Sequence, residues 1–240
     1  MSAGDTSRGH AALDRLRRIA PVAAAANGPD AARSMCLACA SILGVAGVSL
    51  MVMTDGLPSP LSSSGSVAAR LEYLQHTFGE GPCVDAHETG RPVAEPDLAR
   101  PRPARWSAFG PAALAAGAGA LFAFPLRIGG ARIGALTLSQ PHAGDLSDVQ
   151  YGDAQMIAGV VAHAILAIQA QAEPGTLSPE LEALVDLGAQ LHQAAGMVSV
   201  QLGVGVGDAL VRIRAYAFSA DRALGEIASD VVARRLRFEG

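Results

Sequence analysis

The sequence predicts an α+β fold, with an antiparallel β-sheet and flanking helices followed by a bundle of three C-terminal helices. Short apolar runs with β-sheet preference alternate with helical patterns, and this order favours an antiparallel sheet. Gly129-Gly130 joins two of the apolar runs as a typical hairpin turn. From residue 181 onward, apolar side chains recur every three or four positions, which predicts amphipathic helices.

The length and composition of the chain indicate one large or two ordinary folded domains. Its 240 residues are 50% hydrophobic and 17% charged, which is enough apolar content for a sizeable core. The net charge is -4 and lysine does not occur, which argues against a general nucleic-acid coat. Three cysteines, no signal-peptide pattern and no uninterrupted apolar run of membrane-spanning length predict a cytoplasmic protein without a membrane partner.

The predicted sheet-forming domain covers residues 11–172, after a flexible N-terminus at 1–10. Its predicted helices cover residues 13–22, 30–43, 67–78, 106–116 and 146–172, and a further helix begins after the loop at 79–83. Its predicted strands cover residues 45–54, 92–98, 118–128 and 131–140, with room for one more between 58 and 66. Pro21 is expected to end or bend the first helix, and the prolines of 92–98 place that strand at an edge.

The predicted C-terminal domain covers residues 180–238, after a linker at 173–179. Its helices are predicted at 181–202, 206–218 and 224–238. The first of them carries a heptad seam in which Gly188 and Ala195 are small enough for a partner backbone to approach closely. Because three short helices cannot each bury an apolar stripe alone, we expect them to pack together and with a second copy of the chain.

A set of short motifs within residues 10–170 resembles the GAF family of sensor domains. The matching segments are Gly79-Glu-Gly-Pro-Cys83, Thr89-Gly-Arg-Pro-Val93, Trp106, Phe124-Pro-Leu126, Gly134-Ala-Leu136 and the helix that closes the domain. The resemblance implies that the domain holds an unknown small ligand against its sheet, senses redox state, or serves as a dimer scaffold. The Asn-Lys-x-Phe-Asp-Glu pattern of cyclic-nucleotide-binding relatives does not occur in the sequence, which argues against a cyclic nucleotide.

Cys83 and His87 are the candidate ligand or redox residues of this domain. Cys83 ends the glycine-rich motif, and His87 follows one helical turn later. The alternative is a metal site formed by His76, Cys83, Asp85, His87 and Glu88. Cys36 and Cys39 lie three positions apart in a predicted helix and, without a second cysteine pair, are expected to be buried core thiols rather than a redox or metal pair.

Three blocks of the C-terminal domain resemble the ANTAR family, the three-helix RNA-binding output domain of bacterial antiterminators. The matching residues are Ala194, Gly196 and Met197; Ala209, Ile213, Arg214 and Ala217; and Leu224, Ile227, Ala228, Val231 and Val232. The resemblance implies binding to paired RNA hairpins in leader transcripts, which prevents a terminator from forming. Ala195 stands where the family frequently has lysine, so one cation that could meet phosphate is missing.

The RNA-binding candidates that follow from this resemblance are Ala194, Gly196, Met197, Arg214 and Arg222. Because acidic residues outnumber basic ones in this domain, any RNA contact must be local and shape-dependent. Arg214 is expected either to pair with Asp208 or Asp221 or to contact RNA. Gly196 is expected either to allow close helix approach or to offer its backbone to RNA.

Three function classes remain open, of which a signal-responsive, RNA-binding antitermination regulator is favoured. A DNA-binding regulator is the first alternative, but the third predicted helix lacks the Arg, Asn and Gln of a recognition helix. An enzyme acting in the GAF-like cup is the second, but no nucleophile and base show a catalytic spacing. In the favoured mechanism, the helix at 146–172 passes a signal to its homodimer partner, so changes at Ile157 and Val161 are expected to break the dimer and alter RNA affinity.

Overall fold

The computed structural model describes residues 17–26, 30–54, 56–100, 105–170 and 179–239, and within them a five-stranded sheet. The strands are β1 (Gly47–Thr54), β2 (Leu57–Ser63), β3 (Val93–Glu95), β4 (Ala120–Ile128) and β5 (Ala131–Gln140), in the order β2-β1-β5-β4-β3. All neighbouring strands run antiparallel. The predicted antiparallel sheet, its β4–β5 hairpin and the edge position of β3 are therefore confirmed.

Helices cover both faces of the sheet and form the C-terminal unit. They are α1 (residues 17–24), α2 (Ala31–Leu43), α3 (Ser66–Phe78), α4 (Pro82–Thr89), α5 (Phe109–Ala115), α6 (Asp148–Ala170), α7 (Pro179–Leu202), α8 (Val206–Ser219) and α9 (Leu224–Val232). Gly79 ends α3 in the left-handed conformation, at φ 65°, and its N–H donates to the carbonyl of Gln75.

Three helices differ from the sequence prediction. α1 continues through Pro21 to residue 24, because a proline within a helix removes one hydrogen bond without necessarily ending it. α5 begins at Phe109 rather than at 106, since Trp106 adopts a left-handed backbone with φ 51°. α9 ends at Val232 rather than at 238, since Arg234 adopts φ 60° and turns the chain. The predicted N-terminal segment at 1–10 and the linker residues 173–178 lie outside the described residues.

The two faces of the sheet carry separate cores, because successive strand residues point to opposite sides. On one face, α1, α2 and α6 cover Leu50, Phe122 and Leu136. On the other face, α3, α4 and α5 cover Met51 and Leu121. The second face also buries a group of polar side chains from α3, β1 and β5, and the candidate site is built on it.

α6 lies along the first face, and its inner side belongs to the core of the sheet. Ile157 and Val161 are both 0% exposed and pack within this core. They are therefore not available as an exposed dimer contact, and the expectation that they hold two copies together is wrong. Their heptad spacing instead reflects the packing of one helix face on the sheet.

Judged by length and composition alone, α6 is the one helix among the described residues that could cross a membrane. The core helix of a soluble protein passes the same test, and 44% of the apolar window of α6 is buried inside the protein. Segments Leu184–Leu202 and Val206–Ser219 meet the same criteria only when they are counted together as one span, and the chain bends by 103° between them. These observations are weak evidence for a membrane span.

α7, α8 and α9 pack into one three-helix unit with its own core. The core consists of Leu191, Ala194, Ala195, Val198, Ala209, Ile213, Ala217, Leu224, Ile227, Ala228 and Val231, together with Leu57 from β2. The heptad seam of α7 also contacts the sheet. A Cβ added to Gly188 would lie 3.3 Å from the Thr54 hydroxyl at the end of β1. The small residue at 188 thus lets α7 approach the sheet of its own chain.

Candidate functional site

The motif from Gly79 to Cys83 forms the turn between α3 and α4, and its shape depends on Gln75 of α3. The backbone N–H of Cys83 donates to Gln75 Oε1 at 2.8 Å. Gly81 has φ 137°, and a side chain there would collide with the side chain of Gln75. Only glycine tolerates both the backbone angle and this close approach. The motif therefore ties the start of α4 to the inner side of α3.

Cys83 is fully buried beneath α4. Its Sγ lies 3.3 Å from Met51 Sδ. Burial, and next the negative charge of Glu72, raise the pKa of the Cys83 thiol well above its ordinary value. The thiol is therefore protonated at neutral pH, and a protonated thiol is a poor nucleophile and a poor metal ligand. The predicted redox or ligand role of Cys83 would require α4 to open.

Cys36 and Cys39 are fully buried in α2 and form no disulfide, as expected for core thiols. Burial is the main cause that raises the pKa of each thiol to about 12. Both sulfurs therefore remain protonated and contribute to packing against the first face of the sheet.

His87 lies on the outer part of α4, where it is half-buried. Burial, and then the charge of Arg132, lower the pKa of His87, while Glu88 opposes them. The imidazole is therefore mostly neutral at pH 7. In the part of the chain that the structure describes, no three His, Cys, Asp or Glu side chains come together as a metal site requires. The alternative metal site around Cys83 and His87 is thus not assembled.

Asp85, on the same helix, fastens the residues that precede α5. It accepts hydrogen bonds from Arg105 Nη2 at 3.1 Å and from Trp106 Nε1 at 3.2 Å. The guanidinium of Arg105 also lies 4.2 Å from the centroid of the Trp106 ring. These contacts hold Trp106 in its left-handed conformation, so this residue of the GAF-like pattern closes the domain beside α4.

Glu72 is a buried carboxyl at the centre of the second face, and no motif in the sequence indicated it. It lies on α3 and is 2% exposed. Its Oε1 accepts hydrogen bonds from Ser49 Oγ at 2.5 Å and from Gln75 Nε2 at 3.2 Å. Its Oε2 has no hydrogen-bond partner among the described residues.

The protonation of Glu72 changes near neutral pH. Burial raises the pKa of Glu72 to about 7, although the hydroxyls of Ser49 and Thr137 favour the ionised form. Thr137 faces the carboxyl from β5, although its hydroxyl does not meet the full geometric criteria of a hydrogen bond. Carboxyls with pKa values shifted by burial are concentrated at functional sites. Glu72 therefore joins Cys83 and His87 as a candidate site residue.

His76 lies one helical turn beyond Glu72 and connects α3 to β2. Its Nδ1 lies 2.5 Å from the carbonyl oxygen of Pro58, which can only accept, so Nδ1 carries the proton. Burial, and to a lesser extent the charge of Arg214, lower the pKa of His76 despite this hydrogen bond. The ring is therefore neutral at pH 7 and adds no positive charge beside Glu72.

A cavity of about 190 Å³ lies between β2 and α3, beside Glu72 and His76. Its lining includes Ser62 and Ser63 of β2 and Ala69, Glu72, Tyr73 and His76 of α3. The cavity is thus a small space at the edge of the sheet, bounded by an edge strand and by the helix that carries Glu72 and His76.

The outer side of α3 contacts the C-terminal unit. Phe78 packs against Phe218 of α8, with ring centroids 4.7 Å apart. Tyr73 Oη donates to the backbone carbonyl of Arg222 at 3.0 Å. The same helix therefore carries Glu72 and His76 on its inner side and holds the C-terminal helices on its outer side.

Arg214 of α8 is part of this contact. Its guanidinium lies against Gly79 so closely that any side chain at position 79 would collide with it. Burial lowers the pKa of Arg214, and its Nε has no hydrogen-bond partner among the described residues. Within the same residues it pairs with neither Asp208 nor Asp221. Its positive charge instead lies at the negative, C-terminal end of the α3 dipole.

The other RNA-binding candidates lie in different environments. Ala194 is 0% exposed and Met197 is partly buried in the core of the C-terminal unit, so the side chain of Ala194 cannot touch RNA. Gly196 faces open space, so close helix approach does not explain this glycine. Arg222 pairs with Asp230 at 2.7 Å.

Comparisons with known proteins concern the first domain. A family model described as GAF domain matches residues 26–166. The GAF domain of a phosphoenolpyruvate-protein phosphotransferase (ptsP) from Coxiella burnetii has 18% identity and a TM-score of 0.52, over 67% of this chain and 97% of that chain. Its likeness concerns the fold alone.

Two further solved structures resemble the chain more weakly. The GAF domain of the Acinetobacter phosphoenolpyruvate-protein phosphotransferase has 14% identity and a TM-score of 0.49, over 72% of this chain and 99% of that chain. The nlh2 GAF domain from A. aeolicus, in an inactive state, has 18% identity and a TM-score of 0.49, over 65% and 97%. No curated protein matches the sequence.

Proposed function

We propose, because the chain belongs to the GAF domain family of small-molecule and signal sensors, that α7, α8 and α9 are its output unit and bind structured RNA. In this proposal the protein is a cytoplasmic, homodimeric antitermination regulator that binds hairpins in leader transcripts. The main observation for a link between sensing and output is the position of α3. One side of this helix lines the candidate site, and the other side contacts α8.

The RNA-binding part of the proposal rests on the three ANTAR-like blocks. Ala209, Ile213 and Ala217 from the second block meet Leu224 and Ile227 from the third in one core. Matching apolar spacing in three separate blocks supports a shared three-helix architecture. The net charge of -4 means that RNA contacts would come from a few arginines rather than from a broad positive surface.

The contact between Arg214 and Gly79 suggests how a signal would control RNA binding. While α8 is docked on α3, the guanidinium of Arg214 is turned towards the sensor domain. A signal that moves α3 would release α8 and expose this cation. Coupling would then pass directly through α3 within one chain, rather than along α6 to a partner as expected from the sequence. The docked arrangement corresponds to the state of lower RNA affinity.

Replacing Phe78 by alanine is expected to raise the affinity for RNA hairpins by up to about tenfold. Phe78 lies in the sensor domain, so the change leaves every proposed RNA contact intact and removes the ring that holds Phe218. An aromatic pair contributes about 0.5–1.5 kcal/mol, and about 1.4 kcal/mol corresponds to tenfold in binding. Gel shifts of the full chain with RNA hairpins, duplex DNA and unstructured RNA, at one salt concentration, measure the effect.

The double variant Phe78→Ala with Arg214→Ala is the control for this experiment. It should lose the gain in affinity, because the released guanidinium is no longer present. Arg91→Ala removes the same charge from an exposed position of the sensor domain and should leave the gain unchanged. Binding of duplex DNA in preference to hairpins would favour the DNA-binding alternative. No binding to RNA by any of these proteins would contradict the proposed function.

The proposed homodimer requires a surface other than the buried side of α6. An apolar groove of about 610 Å³ lies between α1 and the outer side of α6, past Ile19, Met156, Val160 and Ala167. Small side chains along it would let the same helices of a second copy approach closely. Val160→Asp is therefore expected to convert dimers into monomers in light-scattering measurements, because an unpaired buried charge costs several kcal/mol.

Leu166→Asp is the matched control for the dimer, since Leu166 is 45% exposed on α6 and lies outside the groove. It should leave the dimer intact. A wild-type protein that is monomeric at the concentrations used for the gel shifts would contradict the homodimer.

The enzyme alternative has less support. Its strongest nucleophile candidate, Cys83, is buried and protonated. We therefore propose that the chain is not an enzyme, and steady turnover of a small molecule by the purified protein would contradict this.

A further inference from the structure

The aromatic side chains of the C-terminal unit lie outside its fully buried core. The buried residues of that core are all aliphatic, whereas Tyr216 is 39% exposed and Phe218 is 42% exposed. Phe218 packs on Phe78 of the sensor domain. Tyr216 instead contacts Phe238, with ring centroids 5.3 Å apart and an angle of 63° between the rings. This second aromatic pair therefore lies at the edge of the core rather than within it.

Phe238 belongs to the segment that follows α9, residues 234–239, which we call the strap. The strap turns away from α9 at Arg234, whose backbone is left-handed. Its far end reaches α7, where the backbone N–H of Phe238 donates to Gln201 Oε1 at 2.9 Å. The strap thus runs from α9 to α7 and places the Phe238 ring against Tyr216 of α8.

The strap can lift without unfolding the helices beneath it. Within the strap, only Leu236 and Phe238 are partly buried, and the other side chains are exposed. The fully buried residues of α9 end at Val231, before the strap begins. A left-handed backbone is strained for a residue other than glycine, so the strain at Arg234 offsets part of the contact that Phe238 makes. The strap is therefore a weakly held cover.

Beneath the strap, Tyr216 and Gln201 are the two kinds of group with which RNA-binding proteins hold an unpaired base. An aromatic ring offers a stacking surface, and an amide side chain offers both an acceptor and donors to the edge of a base. Phe238 uses both groups, since its ring contacts Tyr216 and its N–H bonds Gln201. It thus occupies the place that the ring and one N–H of a nucleobase would take.

This site is separate from the contact with α3. Arg214 and Phe218 both face the sensor domain, and Tyr216 lies two positions from each, about 200° around the helix. On α7, Gln201 follows the RNA-binding candidate Met197 by one helical turn, on the same side of the helix. A base could therefore reach Tyr216 and Gln201 while α8 remains docked on α3.

We propose that Tyr216 and Gln201 bind one unpaired base of an RNA hairpin loop, and that the strap covers this site until the base displaces Phe238. The inference rests on the proposed function, because it names the part of the RNA that the output unit recognises. A fully paired RNA duplex would not displace the strap, since its bases are stacked within the helix and offer no free face.

Gel shifts of the full chain with an RNA hairpin, and with a loop-free duplex of the same stem sequence, test the proposal. Phe238→Ala should raise the affinity for the hairpin about two- to tenfold, because the strap loses its aromatic contact. The affinity for the duplex should stay unchanged. Adding Tyr216→Leu to Phe238→Ala should then lower the affinity for the hairpin at least about fivefold, because base stacking is lost.

The double variant excludes a purely structural role of the aromatic pair. If Tyr216 served only to pack against Phe238, its replacement would have no effect on RNA binding once the Phe238 ring is absent. Tyr151→Ala is the matched control, since Tyr151 is a 37% exposed ring of the sensor domain that contacts Phe124 at 5.2 Å. It should leave the affinity for both RNAs unchanged.

A second measurement uses the wild-type chain, so it does not depend on how the variants fold. Hairpins carrying 2-aminopurine at each loop position in turn report stacking, because stacking quenches the fluorescence of this adenine analogue. Binding of the wild type should quench one loop position, and Tyr216→Leu should abolish that quenching. Quenching that is identical with Tyr216→Leu would overturn the base site.

The outcomes separate this inference from the proposed function. Hairpin binding that Phe238→Ala leaves unchanged, or a gain that is equal for the duplex, would overturn the strap while the output role stands. No binding of any RNA by the wild type and by Phe238→Ala would refute the output role, and the base site with it.

Discussion

Glu72→Gln is expected to stabilise the folded protein by about 3 kcal/mol at pH 8 and by less than about 1 kcal/mol at pH 5. Burial raises the pKa of Glu72 from 4.5 to about 7. Between these two values the folded state binds more protons than the unfolded state, so folding stability falls as pH rises. At about 1.36 kcal/mol per pKa unit, the full penalty is reached above pH 7. Glutamine keeps the shape of the side chain and does not ionise.

Urea unfolding at pH 5 and pH 8 measures this difference. Glu88→Gln is the control, since Glu88 is exposed and its replacement should shift stability by no more than about 0.5 kcal/mol. A stability difference between Glu72→Gln and the wild type that does not change with pH would show that the carboxyl does not titrate as described.

Ile213→Ala is expected to destabilise the folded protein by about 3 kcal/mol and to weaken RNA binding by loosening the core of the C-terminal unit. Ile213 is 0% exposed and lies in the core formed by α7, α8 and α9. Replacing a buried isoleucine by alanine costs about 2–5 kcal/mol, because apolar contacts are lost and a cavity remains. Unfolding followed by circular dichroism, and gel shifts on the same samples, report the two effects.

Val211→Ala provides the comparison within the same helix. Val211 is 61% exposed, so its replacement should change stability by no more than about 0.5 kcal/mol. If both variants lost the same small amount of stability, the core of the C-terminal unit would not be packed as described. If Ile213→Ala caused the full loss of stability and RNA binding stayed unchanged, the RNA contacts would lie elsewhere in the chain.

Most of the sheet was predictable because local signals agreed with one another. Gly129-Gly130 specified the hairpin, and the prolines around β3 specified its edge position. The exceptions occur where tertiary contacts set the backbone. Trp106 adopts a left-handed conformation that suits glycine better, and Asp85, twenty-one positions away, holds it there. No local pattern contains such a contact.

The candidate site was only partly predictable, for a similar reason. Cys83 and His87 were indicated by a motif, but that motif mainly determines the shape of a turn around Gln75. Glu72 belongs to no motif, and its burial depends on how α3 lies over Ser49 and Thr137 of distant strands. The docking of Arg214 against Gly79 joins two domains. The apolar spacing of each domain was visible in the sequence, whereas the contact between them was not.

Leu57 has a consequence for the independence of the two domains. It belongs to strand β2 of the sensor sheet, yet its side chain completes the core of the C-terminal helices and is 4% exposed. A chain cut at the linker would leave each half with an unfinished interior. Heating should therefore melt the whole protein in one cooperative step. Joining a different C-terminal unit to this sensor domain would require a residue at position 57 that fits the core of the new unit.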